Sequence, residues 1–171
     1  MAEWRGVSEG TINLTVGMTR AEAQRRSTIP LGDYGGSAYY FDFVLAGEAL
    51  RFKGINVYDI GWENGKIEKF SALSEKQTWS QARHDAQRAE MLLLERGWKR
   101  DPQTHAMSTL TDNARDAANA VNYDTSIRRT FYEKGDLQIE LSACGEPGGI
   151  PWYRTSRDQQ IFWHTVAVYK R

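Results

Sequence analysis

Residues 55–70 read Ile-Asn-Val-Tyr-Asp-Ile-Gly-Trp-Glu-Asn-Gly-Lys-Ile-Glu-Lys-Phe, and the fold is decided here. Asn64-Gly65 suits the positive φ angles of a type I′ turn, the commonest tight connection between antiparallel strands. With that turn, residues 55–63 run out as one strand and residues 66–70 return as the next. The register sets Glu63 opposite Lys66 and Trp62 opposite Ile67, both favourable cross-strand pairs. An antiparallel hairpin is predicted.

Upstream, Tyr39, Tyr40, Phe41, Phe43, Val44 and Leu45 favour a pleated surface. Gly47-Glu48 predicts a turn before a short strand at 50–52. Residues 31–37 (Leu-Gly-Asp-Tyr-Gly-Gly-Ser) predict a loop. Residues 11–16 alternate enough for a short strand or an extended lead-in. Thr19-Arg20-Ala21-Glu22 has the form of a capping box, in which the threonine and the glutamate satisfy each other's amides. The short helix it opens is expected to end near Ser27, because Pro30 disfavours helical geometry just before it.

Downstream, Ser74-Glu75-Lys76-Gln77 offers a second capping box. Trp79, Ala82, Ala86, Ala89 and Leu93 then recur at spacings of three and four, giving one apolar stripe whose alanines allow close approach to a sheet. Gly97 is placed to end that helix. Residues 99–110 read as polar loop and residues 111–121 as a modest helix. Residues 128–132 and 137–141 predict a second hairpin across Lys134-Gly135-Asp136, and residues 145–151 a loop. Residues 161–169 form a final strand, apolar on both faces and therefore central. The predicted fold is α+β, an antiparallel sheet with helices packed on one face. The chain reads as a single domain over 1–171, and 1–73 and 74–171 can be taken as two related helix-plus-strands halves, although no residue-level repeat links them.

A chain of 171 residues, 40% hydrophobic and 26% charged, has the composition of a soluble globular domain. It is long enough to bury a core without staples. Its 22 basic residues balance 22 acidic ones, so no overall field recruits nucleic acid or anionic membrane. One cysteine, Cys144, excludes an intramolecular disulfide and a thiolate metal cluster. No run approaches the roughly 18–20 apolar residues of a membrane span. Met1-Ala2-Glu3-Trp4-Arg5 leads directly into polar sequence, which fits a cytoplasmic start or a periplasmic chain begun after a removed signal.

Motifs that carry chemistry are absent from the sequence. The loop from Gly32 to Ser37 lacks the Lys-Ser or Lys-Thr of a Walker A loop and the G-x-G-x-x-G spacing, and Gly145 to Gly149 fails in the same way. His84, His105 and His164 fall on a helix, a loop and a strand, and no two have ligand spacing. His84 and Asp85 are neighbours on a helix and so point in different directions. Cys144 has no local signature of a nucleophile and reads as a small packing residue. There is no G-x-S-x-G elbow. No catalytic residue, cofactor or metal site is predicted.

Aromatic content stands out instead, with six Trp, eight Tyr and six Phe. Most such side chains fill cores. Tyr34, Tyr39 and Tyr40 flank one glycine loop, however, and Trp152 and Tyr153 follow the other. Aromatics on loops bury much area at little entropic cost and serve as interface anchors. These five are the predicted partner-binding residues. Stacking on single-stranded nucleic acid needs a basic groove as well, and Arg25-Arg26 with Arg128-Arg129 are too few to make one.

Val16-Gly17-Met18-Thr19-Arg20-Ala21-Glu22 resembles the G-M-T-x-x-E helix start of the SmpA/OmlA (BamE-like) domain of small bacterial envelope lipoproteins. The likeness continues through a glycine-containing loop to the strands ending in Asn64-Gly65-Lys66-Ile67 and covers only the N-terminal part. Related architectures, some with the unit doubled, occur in β-lactamase inhibitor proteins and in immunity proteins that neutralise toxins. No lipobox cysteine precedes the pattern, and everything from Trp79 onward lies outside it. The resemblance implies a non-enzymatic role in binding another protein, a toxin, an effector or an envelope component. An immunity or inhibitor protein is the first expectation, an envelope scaffold domain the second, and a small hydrolase or nuclease without a recognisable motif the third.

Overall fold

The structure, a computed structural model, describes residues 11–28, 41–45, 50–113, 126–145 and 162–171. The hairpin forms as its turn dictates. Asn64 (φ 50°) and Gly65 (φ 73°) both take the left-handed conformation that a type I′ turn requires. Glu63 pairs with Lys66 and Trp62 with Ile67 between β3 (Leu50–Glu63) and β4 (Lys66–Ser74). The strand at 50–52 and that at 55–63 were expected to be separate. They are one, because the chain runs through Lys53-Gly54 without a turn. A bulge between Gly61 and Trp62 leaves Glu68 as an extra residue on β4. The bulge reverses the parity of the strand, so that Ile67 and Phe70, three apart, are both buried in the same core.

The remaining elements are β1 (Thr11–Leu14), α1 (Arg20–Arg26), β2 (Phe41–Leu45), α2 (Trp79–Glu95), β5 (Lys99–Arg100), β6 (Ser126–Lys134), β7 (Leu137–Gly145) and β8 (Phe162–Lys170). Among the described residues eight strands form one sheet in the order β1-β2-β3-β4-β8-β7-β6-β5. All neighbours are antiparallel except β1 and β2. That pair is parallel because the chain passes through α1 between them, and a crossover returns the strand in the same direction. β8 lies between β4 and β7, central as its apolar content predicts.

Both α-helices among the described residues are capped, one where the sequence indicates and one not. Thr19 accepts from the Glu22 amide, Glu22 reaches back to the Thr19 amide, and the helix ends at Ser27. Gly17, at φ 93°, makes the turn that brings the chain into this cap, where a side chain would be strained. For α2 the cap is Thr78 with Gln81, not Ser74 with Gln77. β4 runs on to Ser74, and Gln77 pairs its backbone with Phe162, so helical geometry cannot start before Thr78. At the other end Trp98 N donates to Leu93 O and Gly97 N to Leu94 O, a Schellman closure over the buried Leu93–Trp98 contact.

The stripe Trp79, Ala82, Ala86, Ala89 and Leu93 is buried, and α2 packs across β7 and β8. The alanines keep the helix close to the sheet, as expected. α1 packs on β1, and both helices contribute to one core with Phe70, Val166 and Val168. This is an α+β architecture. Residues 99–110, expected to be loop throughout, contain the edge strand β5 and a 3-10 turn at Met107–Thr109. Of the helix expected at 111–121, residues 111–113 are not helical and 114–121 lie outside the described residues. No helix among the described residues is long and apolar enough to cross a membrane.

Candidate functional site

Among the described residues, two buried polar clusters interrupt the helix–sheet core. The first lies where β4 ends, α2 begins and β8 starts. Ser74 faces the core at the last position of β4, and its Oγ accepts from the His164 amide at 3.0 Å. The Ser74 hydroxyl in turn faces Glu75 O at 2.8 Å and Gln77 Oε1 at 3.0 Å. The imidazole Nδ1 of His164 lies 3.1 Å from the same Gln77 oxygen. A carbonyl oxygen only accepts, so Nδ1 carries the proton. Gln77 Nε2 donates to Asp85 Oδ2 at 2.7 Å, and that oxygen stands 4.0 Å from His164 Nδ1. Burial pushes His164 below the ordinary imidazole value, and Asp85 pulls it back in part.

Serine, histidine and aspartate side by side invite comparison with a hydrolytic relay. The directions differ. Ser74 Oγ meets the backbone of His164, not its ring, and its proton is directed at oxygen acceptors that cannot act as a general base. The imidazole nitrogen on this side, Nδ1, already carries a proton and points to Gln77 and Asp85. This arrangement holds three elements together; it does not activate Ser74.

The second cluster centres on Glu90, which is 2% exposed on the core side of α2. Its carboxylate accepts from the amides of Met107 (2.8 Å) and Ser108 (2.9 Å) and from the Tyr132 hydroxyl. Arg128 Nη1 donates to Ala106 O and to Thr109 Oγ1. Burial, reinforced by the hydrogen bond to Glu90, pushes the Tyr132 phenol far above its usual range. Burial pulls the Arg128 guanidinium down, and Glu90 and Tyr132 oppose that. The carboxylate thus caps the 3-10 turn and fastens residues 101–110 against α2 and β6. Among the described residues no group of three or more His, Cys, Asp or Glu side chains is arranged to hold a metal ion.

The three histidines are not brought together. His84 and His105 are exposed, and His164 is buried. Cys144 is buried on β7. Tyr34, Tyr39, Tyr40, Trp152 and Tyr153 lie outside the described residues. Sequence reasoning missed Ser74, Gln77 and Asp85 as partners of His164, which no spacing could reveal. Glu90 left a signal: it stands four residues after Ala86 and three before Leu93, inside the apolar stripe. The face of the sheet opposite α2 carries Phe131, Trp163 and Tyr169, each half-buried, with an Arg129–Glu140 ion pair at 2.9 Å between β6 and β7.

No protein-family model, curated protein or solved structure matches this chain.

Proposed function

We propose that the chain is a non-enzymatic protein-binding module, most concretely an immunity or inhibitor protein that binds and neutralises a toxin or effector. What supports this most is the use made of the buried ionisable side chains. Glu90, Arg128 and His164 are each tied to backbone or to neighbouring side chains that hold the fold. Such ties make a rigid scaffold, and a rigid scaffold lowers the entropic cost of presenting contact residues. Balanced charge and aromatics beside the glycine loops agree with recognition of a protein surface. Tyr34, Tyr39, Tyr40, Trp152 and Tyr153 are the proposed anchors.

The test is co-expression with the product of the adjacent gene. The expected result is a complex that survives gel filtration and abolishes the partner's toxicity. Tyr-to-Ala and Trp-to-Ala variants at the five anchors should weaken that complex, at least one of them by about 2 kcal/mol or more. A chain that forms no complex and turns over a substrate overturns the reading.

A second reading, an envelope assembly or scaffold domain, rests on residues 16–22, where Gly17, the Thr19 cap and Glu22 each have a local structural task. The adjacent gene discriminates again, since an envelope component there would favour it. A hydrolase reading would draw on the approach of His164 to Asp85, and the orientation of Ser74 counts against it.

A further inference from the structure

We propose that Gln77, Asp85 and His164 form an acid-sensitive latch between the N-terminal turn of α2 and the first residues of β8. Three elements meet at this point. Gln77 precedes the Thr78 cap and exchanges two backbone hydrogen bonds with Phe162 (2.5 and 3.1 Å), so its backbone is fixed to β8. Its side chain is held from both ends, by the His164 ring at the oxygen and by Asp85 at the nitrogen. The neutral ring needs one acceptor at Nδ1, and Gln77 Oε1 supplies it.

A second proton, taken at Nε2, changes the order of preference. A carboxylate is the better acceptor for a cationic N–H. Asp85 Oδ2 already stands 4.0 Å from Nδ1, and a shift of about 1 Å would bring it into a charge-assisted hydrogen bond. Gln77 then loses its place between the two. Its amide is released from Asp85 and its oxygen from the ring, while Ser74 keeps the Glu75 carbonyl as an alternative acceptor.

Among the described residues, the other groups around the ring do not compete for this role. Ser74 on β4 and Ala143, the neighbour on β7, carry no charge. Arg128, beyond Ala143 on β6, directs Nη1 to Ala106 and Thr109. α2 presents Asp85 as the charge acting on His164. Asp85 is 38% exposed against 9% for His164, so the carboxylate has room to move and the ring does not. Two residues after Gln77, Trp79 of α2 meets Phe162 with ring centroids 5.4 Å apart and planes inclined at 58°, which places an indole reporter in the same seam.

The experiment is an NMR titration of the full chain between about pH 7.5 and 5, the range in which histidine changes charge. It follows the His164 ring, the Gln77 side-chain amide and the Trp79 indole N–H. The variants H84Q and H105Q assign the ring signals, and W79F assigns the indole. The expected result is a His164 midpoint below 6.5, with the Gln77 and Trp79 signals moving at that same midpoint. D85N should shift the midpoint further down, because the neighbouring charge that favours the cation is gone. It should also suppress the Gln77 shift. H164Q should abolish the coupled shifts; should that core variant not fold, D85N at its half-exposed position still decides. Gln77 and Trp79 signals that stay still while His164 titrates would overturn the latch. So would an unchanged midpoint in D85N, or global unfolding before His164 titrates.

Discussion

Glu90 shows how one buried charge can be worth keeping in a helix that otherwise presents alanine and leucine. Two backbone amides and a phenol converge on it, and the Met107 amide and the Tyr132 hydroxyl would lose a buried acceptor if the carboxylate were removed. Glu90→Ala should therefore destabilise by about 3–5 kcal/mol, and Tyr132→Phe, which removes a single donor, by about 1–2 kcal/mol. Urea denaturation of the two variants and their double mutant measures this, and the double mutant should fall short of the sum. His164 makes a pH prediction of opposite character. Its folded value is depressed by burial, so the unfolded chain takes up a proton first as pH falls through about 6.5. Stability is fully present above that value and declines between it and the lower folded value. Urea midpoints should fall across this window in the natural chain, and more weakly in H164Q.

At the scale of elements, the two caps of α1 and α2 separate what a local pattern can and cannot decide. Both Ser74-x-x-Gln77 and Thr78-x-x-Gln81 satisfy the same rule, and only the second caps a helix. Thr78→Ala should remove about 1 kcal/mol as loss of an N-cap, measurable as a lower thermal midpoint. Ser74→Ala should act differently, by orphaning the His164 amide, and its effect should disappear from helix-specific signals and appear in the exchange of that amide. In the hairpin, Gly65→Ala forces a side chain into a φ of 73°. The expected cost is about 1 kcal/mol, with the register of β3 and β4 retained. The hairpin, the α1 cap and the α2 stripe were legible in the sequence because each depends on residues within a few positions of one another. β5 was not: two residues of strand have no period, and they pair only because Asp101 and Thr104 fasten the following loop to Phe131. The candidate site was less legible still, since His164 meets Ser74, Gln77 and Asp85 only after β8 has inserted.

Across the whole molecule, β8 is the element on which both parts of the sheet depend. It hydrogen-bonds β4 on one side and β7 on the other, with Val166 beside Ala72 and Leu141. Val166, fully buried, should cost about 2–3 kcal/mol on truncation to Ala. Tryptophan fluorescence and far-UV circular dichroism should shift to the same new midpoint, because neither side of the sheet is completed without this strand. The outer edges are managed separately. Ser27 Oγ accepts from the Asn13 amide on β1, and β5 ends after two residues at Arg100, with Asp101-Pro102 following. By itself the sequence determined the α+β class, the hairpin register, the apolar face of α2 and the central character of the last strand, because short-range sterics and burial periodicity fix these. Only the tertiary structure decided that β1 runs parallel to β2, that β4 and β8 are neighbours, that Thr78 caps α2 and that Asp85 stands over His164. Those pairings join residues distant in the chain. Their register is set by burying Phe70 and Ala72 with Val166 and Val168 in one core, a condition no local stretch of residues contains.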